Sequence, residues 1–169
     1  MDEQIFNTID EWIKKYRSDI GYSIPANEKL PFTLAELTYW MMNTKEQEFN
    51  RLSRSYYAIS LLLGYQTSDG SYLLFQIIAQ DTERTPRSVD YYVFARNEYV
   101  PIGAGRGSEI VDQFPIYSTW KFEKIERKVD EIYNKIVEKT ALSKDEIKKC
   151  FQSKFKTQND VIGKHHSSR

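Results

Sequence analysis

The residues with the best rationale for binding chemistry follow the apolar middle of the chain. They are Gly103, Gly105, Arg106, Gly107 and Ser108. Glycines let backbone N–H groups close on a phosphate, a following helix N-terminus adds positive potential, and arginine offers paired hydrogen bonds. One hypothesis for this chain is therefore a small-molecule, nucleotide or phosphate site at residues 103–109, and such a protein could be an enzyme.

The spacing of these glycines is not that of a nucleotide-binding fingerprint. A Rossmann or P-loop motif lies between a strand and a helix of a parallel βαβ unit, whereas this glycine run follows segments that are typical of hairpins. The pattern therefore favours a connector that leads the chain out of a sheet, and anion binding is the alternative.

Histidine and cysteine give no support for catalysis or for a bound metal. His165 and His166 are adjacent in a polar C-terminal stretch, where nothing would hold them against a substrate. Cys150 lies on the apolar face of the last predicted helix, which favours a small core residue. We therefore expect no catalytic residue, no metal site and no cofactor, and an enzyme is the less favoured interpretation.

Acidic residues are frequent in the predicted loops, but their spacing singles out no pair. They are Asp81, Glu83, Asp90, Glu98, Glu109 and Asp112. Two carboxylates that met there could bind a metal or share acid–base catalysis. A metal-dependent nuclease would place a strand carboxylate where this chain has Gln76 and Gln80. Solvated loop charges are therefore the favoured interpretation.

Composition and charge argue against several classes of protein. The 169 residues fit one domain, and 24 basic residues against 24 acidic ones leave no net charge. Nucleic-acid binders usually carry a basic excess, so we expect no nucleic-acid partner, even though residues 33–55 have the length of a helix-turn-helix.

The single cysteine excludes an internal disulfide. An acidic N-terminus and the lack of a long apolar run predict a cytoplasmic chain without a membrane partner.

Apolar residues at three- and four-residue steps predict helices on both sides of the middle of the chain. The first predicted helix spans about residues 2–19. Capping boxes at Thr33 and Ser143 mark two further helix starts, because each residue is followed three positions later by glutamate. The longest helix is predicted at about residues 119–140, and residues 156–169 are predicted to be a disordered tail.

The middle of the chain, from Tyr56 to Gly103, predicts a sheet of hairpins. Two apolar runs flank Thr67–Ser71, whose Asp-Gly pair is typical of a hairpin turn. Apolar residues at the three- and four-residue spacing of a helix also extend into the first of these apolar runs. We therefore predict a helix to about Arg54 and a strand from about Tyr57, with a helix as far as Leu63 as the alternative.

Four more elements are predicted beyond this turn. Strands are expected at residues 72–80 and 89–96, and a tight turn at Asn97-Glu98 then leads into a strand at residues 99–102. A short helix is expected at residues 108–114, ended by the proline that follows.

Tyrosines and arginines are concentrated in and beside the predicted sheet. Consecutive tyrosines on a strand point to opposite faces, so one of each pair is expected to point away from the main core. Both residue types are enriched at protein interfaces, although the strand propensity of tyrosine is the simpler explanation. The candidate protein-binding residues are Tyr91, Tyr92, Arg96, Arg84, Arg87 and Tyr99.

Together these patterns predict one α+β domain over residues 1–155. Its antiparallel sheet of about four strands, a hairpin meander, is flanked by N-terminal helices and two C-terminal helices. The first functional hypothesis is a non-enzymatic intracellular protein-binding module of the inhibitor or immunity type, with one protein partner of unknown identity. We expect a monomer or a weak dimer, because the apolar stripe of the longest helix is too short for a coiled coil.

Overall fold

In the computed structural model of this protein, helices from both ends of the chain pack on one face of a five-stranded sheet. The structure describes residues 3–19, 21–54, 58–81, 87–100, 110–114, 121–139 and 142–150, and only the backbone at 110–114, 139, 149 and 150. The predicted α+β class is therefore confirmed, with a sheet that is mostly antiparallel.

Ten helices and strands are named here in chain order. They are α1 (Glu3–Lys14), β1 (Tyr22–Ser23), α2 (Leu34–Asn43), α3 (Glu46–Leu52), β2 (Ala58–Gln66), β3 (Tyr72–Gln80), β4 (Ser88–Arg96), β5 (Ile110–Phe114), α4 (Phe122–Lys139) and α5 (Lys144–Cys150). The order across the sheet is the same as the order along the chain. None of the helices within the described ranges is long and apolar enough to cross a membrane.

Both predicted capping boxes are present at the starts of their helices. The Thr33 hydroxyl accepts from the Glu36 amide at 3.0 Å, and the Glu36 carboxylate accepts from the Thr33 amide at 2.6 Å. The corresponding distances between Ser143 and Glu146 are 3.2 and 3.3 Å. Each box satisfies backbone donors that the first turn of a helix leaves without partners, and so fixes where α2 and α5 begin.

The first helix is shorter than predicted, and it ends at Lys14. The chain then reverses direction. The Tyr16 carbonyl accepts from the Ser23 amide at 2.9 Å, and Arg17 forms an isolated antiparallel β-bridge with Tyr22. This reversal forms β1, which the sequence did not predict, and pairs it parallel to β2.

The boundary between α3 and β2 agrees with the prediction, but two elements after β4 do not. Residues 99 and 100 are not part of a strand, and residues 101–109 lie outside the described residues. Residues 110–114, which were predicted to be helical, form β5 along the free edge of β4. So short a helix gains little from its own hydrogen bonds, whereas a strand edge supplies ready partners.

The outer edge of β2 is occupied beyond β1 by residues that are not in a strand. The Ile24 amide donates to the Leu62 carbonyl at 3.0 Å, and the Asn27 amide donates to the Gly64 carbonyl at 2.9 Å. The Asn27 side-chain oxygen accepts from the Gln66 amide at 2.9 Å. Asn27 has a φ of 67°, a left-handed conformation that asparagine tolerates better than most residues.

Alternation along the strands divides the sheet into an inner face and a second face. The inner face carries residues such as Leu61, Phe75 and Tyr91, which belong to one buried core shared with the helices. The second face carries the alternate residues, among them Leu62, Leu74 and Tyr92, and points away from that core.

Candidate binding surface

Tyr91 lies on the inner face and has no exposed surface. Its hydroxyl is hydrogen-bonded to the Thr38 hydroxyl on α2, and Thr38 in turn donates to the Leu34 carbonyl at 2.8 Å. A side chain in this position cannot contact a partner of the folded chain. Tyr91 therefore connects the sheet to α2. Its prediction as a protein-binding residue was wrong, because its side chain is buried.

Arg87 is also buried, at 9% exposure, just before β4. Its guanidinium donates to the carbonyl oxygens of Met41, Met42 and Thr44, where α2 ends. It also pairs with the Asp81 carboxylate at 3.1 Å. Burial lowers the pKa of Arg87, and the contact with Asp81 opposes that effect. Arg87 therefore satisfies the last carbonyl groups of a helix, and it too is not available to a partner.

Arg96 lies on the second face and is exposed. Its guanidinium carbon is 4.9 Å from the centre of the Phe94 ring, within the range of a cation–π contact. Tyr72 lies directly opposite Arg96 on β3 and is half-buried. The end of β4 thus combines a cation with aromatic rings on the side of the sheet away from the helices.

Tyr99 follows β4 and reaches back across the second face. Its ring centre is 5.5 Å from that of Tyr72, and its hydroxyl donates to the Ile24 carbonyl at 2.7 Å. Burial raises the pKa of Tyr99 well above its ordinary value. We call Tyr72, Phe94, Arg96 and Tyr99 the aromatic corner.

Gly64 makes room for the Tyr99 ring. A Cβ atom built on Gly64 would lie 2.4 Å from Cε1 of that ring and 3.0 Å from the Leu73 carbonyl oxygen. The first distance is shorter than real carbon–carbon contacts allow, so the ring can occupy its place only above a residue without a side chain.

Tyr92 lies one row further along the second face, in line with Gln76 and Leu62. It is half-buried, and its pKa is raised by burial and by the nearby Asp90 carboxylate. Gln76, which is 6% exposed, donates to the Ser60 hydroxyl at 3.0 Å. Of the three residues in this row, only Tyr92 is partly exposed, because Leu62 and Gln76 are buried.

Part of the second face is covered. Leu74 has no exposed surface and Leu62 has 3%. The surface that remains accessible on and beside this face includes Tyr72, Tyr92 and Arg96, and Val100 is the one exposed large apolar residue in the described ranges. These residues form the candidate binding surface.

Several predicted residues lie outside the described ranges. They are Arg84, Gly103, Gly105, Arg106, Gly107, Ser108, His165 and His166. The side chain of Cys150 is likewise not described. Anion or nucleotide binding at residues 103–109 therefore stays a prediction. Within the described residues, no three histidine, cysteine or acidic side chains are grouped to hold a metal ion.

Sequence reasoning missed Tyr72 and Phe94 as members of the aromatic corner, and it missed Gly64, which makes room for the Tyr99 ring. Counting in twos from Tyr92 would have placed Phe94 and Arg96 on its face. The contribution of Tyr72 required the register between β3 and β4, and that of Gly64 required the path of the chain after β4. Neither can be derived from local sequence.

No protein-family model, curated protein or solved structure matches this chain. No relative therefore supplies an activity, a ligand or a partner. The case for a function depends on the geometry of the second face and on the chemistry of the residues that it exposes.

Proposed function

We propose that this chain is a non-enzymatic protein-binding module, and that it binds its partner through the aromatic corner together with Tyr92. The biological role we propose is that of an intracellular inhibitor or immunity-type protein. Such a protein needs a preorganised surface that captures its target, and it needs no reaction chemistry of its own.

The observation that carries this proposal is the position of Arg96. It is exposed, it is held over the Phe94 ring at 4.9 Å, and it faces the half-buried Tyr72 on the neighbouring strand. Arginine and tyrosine dominate the binding energy of many interfaces, because each combines a large contact area with directed hydrogen bonds. An arginine already stacked on a ring also loses less side-chain freedom on binding.

The sheet gives these residues a rigid base. Tyr72, Phe94 and Arg96 belong to two strands that are paired over their full nine residues. Strands hold side chains more precisely than loops do. The surface is therefore suited to a partner that presents a hydrogen-bond acceptor or a carboxylate to Arg96 and an apolar group to the rings.

The test is capture of a partner from native lysate by the full chain. We expect the double variant Tyr92→Ala/Arg96→Ala to lose about 30-fold or more in affinity for any captured protein, since residues of this kind often contribute about 2 kcal/mol or more. Circular dichroism and urea unfolding should show that the double variant remains folded.

Arg51→Ala is the matched control, because Arg51 is an exposed arginine on α3, outside the sheet. It should capture the partner as the wild type does. Undiminished capture by a folded Tyr92→Ala/Arg96→Ala variant would show that the partner binds elsewhere.

A further inference from the structure

We propose that Arg17 and Arg54 form a binding site for a phosphate group, carried by inorganic phosphate or by a small phosphate monoester. The site lies where the segment between α1 and β1 meets the end of α3. It shares no residue with the aromatic corner and does not depend on a protein partner, so it goes beyond the proposed function.

Each of the two arginines is anchored to a backbone carbonyl of the other's segment. The Arg17 guanidinium donates to the Arg51 carbonyl at 3.2 Å, close to the end of α3. The Nε of Arg54 donates to the Ser18 carbonyl at 3.1 Å. Each bond occupies one of the five N–H groups of a guanidinium and leaves the others for a ligand. Both side chains are exposed, so these donors are accessible from solvent.

The buried Tyr22 hydroxyl shows that the two positive charges lie in the same place. Tyr22 is 1% exposed, and its hydroxyl donates to the Leu52 carbonyl at 2.6 Å. Burial raises the pKa of Tyr22, and the charges of Arg17 and Arg54 oppose that rise. Because the influence of a charge falls with distance, both guanidinium groups must lie near this hydroxyl.

The cations around the site are neutralised within the chain, whereas the two arginines of the site are not. Lys14 pairs with Asp10 at 2.8 Å, and Arg51 pairs with Glu48 at 2.6 Å. Among the residues that the structure describes, no ion pair joins either arginine of the site to a carboxylate, including that of the nearby Asp19. Two like charges held close together repel each other, and a bound anion would remove this repulsion.

The number and type of these donors fit phosphate better than a carboxylate. A phosphate monoester carries a charge of about −1.5 to −2 at neutral pH and offers three acceptor oxygens, which match two guanidinium groups. A carboxylate carries a single charge and is satisfied by one arginine. The backbone carbonyls hold both arginines in place before a ligand arrives, so binding costs less side-chain freedom.

Isothermal titration calorimetry of the full chain tests the site, with inorganic phosphate and glycerol phosphate as separate ligands at constant ionic strength. We expect saturable binding of at least one of them, and the tighter ligand identifies the source of the phosphate group. Sulfate should compete, and acetate should not. Arg17→Gln and Arg54→Gln should each weaken binding about tenfold or more, because each removes charge-assisted hydrogen bonds.

Three further variants separate this site from a general effect of charge. Glu48→Gln/Arg51→Gln removes the neighbouring ion pair without changing the net charge, and should bind phosphate as the wild type does. Arg127→Gln removes one exposed charge on α4, and should also leave binding unchanged. Arg17→Lys/Arg54→Lys keeps both charges but loses the forked donors, and should bind more weakly than the wild type.

The absence of saturable binding of both phosphate ligands to the wild type would overturn the proposal. So would equal affinities of the wild type and a folded Arg54→Gln variant, or equal affinities for acetate and phosphate. If Arg17→Gln does not fold, the wild type and Arg54→Gln still decide the question. No partner is needed for these titrations, so their failure is distinct from failure to capture a protein.

Discussion

At the scale of single residues, the two tyrosines at positions 91 and 92 have opposite environments. Tyr91 is hydrogen-bonded to Thr38 in the core, and Tyr92 lies half-buried on the second face. Tyr91→Phe should lower the free energy of unfolding by about 1 kcal/mol, because it removes a buried hydrogen bond while Thr38 keeps its bond to the Leu34 carbonyl. Urea unfolding measures the change.

Tyr92→Phe is the control for this experiment. Tyr92 is only half-buried, so the substitution should change the free energy of unfolding by about 0.5 kcal/mol or less. Equal losses in the free energy of unfolding for Tyr91→Phe and Tyr92→Phe would show that the buried hydrogen bond of Tyr91 does not stabilise the fold.

Arg87 has a structural role that its residue type did not indicate. Its guanidinium lies 4.3 Å from the centre of the Phe49 ring and donates to three carbonyl oxygens near the end of α2. Arg87→Met should lower the free energy of unfolding by about 3 kcal/mol, because it leaves those acceptors and the Asp81 carboxylate without their buried donor. Chemical denaturation is the measurement.

Arg51→Met provides the comparison for Arg87. Arg51 pairs with Glu48 at 2.6 Å on the surface of α3, and exposed ion pairs of this kind contribute about 1 kcal/mol or less. A loss for Arg87→Met no larger than that for Arg51→Met would contradict the structural role of Arg87.

At the scale of elements, the β2–β3 turn depends on an ionised carboxylate. One oxygen of Asp69 accepts from the Thr67 hydroxyl, the Ser71 hydroxyl and the Ser71 amide. Hydrogen bonds from the Ser71 and Thr67 side chains lower the pKa of Asp69 from 3.8 to about 2. Because the pKa is lower in the folded chain, Asp69 stabilises the fold above its unfolded pKa, and this contribution is lost as the pH falls through the folded pKa.

Asp69→Asn should therefore be less stable than wild type at neutral pH, and the difference should shrink as the pH falls from 3.8 to about 2. Ser71→Ala, which removes one of the donors, should act in the same direction with a smaller effect. Thermal unfolding over this pH range measures both. A difference between Asp69→Asn and wild type that is independent of pH would show that the carboxylate charge is not responsible.

The accuracy of sequence-based prediction differed among the elements for physical reasons. Both capping boxes and the turn at Thr67–Ser71 were predicted correctly, because their hydrogen bonds join residues that are close in sequence. β5 and β1 were not predicted, because each forms along an edge that a distant strand provides. Local propensity carries no information about such an edge.

The types of residue on the candidate surface could be predicted from the sequence, but the individual residues that form it could not. The pairing of tyrosine with arginine on the sheet was expected, and strand alternation implied that one of Tyr91 and Tyr92 would point away from the helices. Which of the two does so depends on the face that α2 covers, and this is fixed by contacts such as the one between Thr38 and Tyr91. The burial of Arg87 depends on the same packing of α2 against the sheet.

At the scale of the whole molecule, a single core joins both ends of the chain. Ile9 from α1, Trp40 from α2, Phe75 from β3 and Ile147 from α5 belong to one buried cluster. We therefore expect one cooperative unfolding transition, with tryptophan fluorescence and far-ultraviolet circular dichroism changing together. Two separate transitions would show that the terminal helices form a unit of their own.

The way in which residues 24–27 occupy the outer edge of β2 has a consequence for behaviour at high concentration. Strand edges with free amides and carbonyls recruit strands from other molecules, and this is a common route to fibrous aggregates. Here the Leu62 and Gly64 carbonyls and the Gln66 amide are already bonded within the chain. On this side the apolar β2–β3 hairpin therefore cannot pair with a strand from another molecule. Asn27 contributes to this protection against aggregation, because its backbone and side chain occupy hydrogen-bonding groups at the edge of β2.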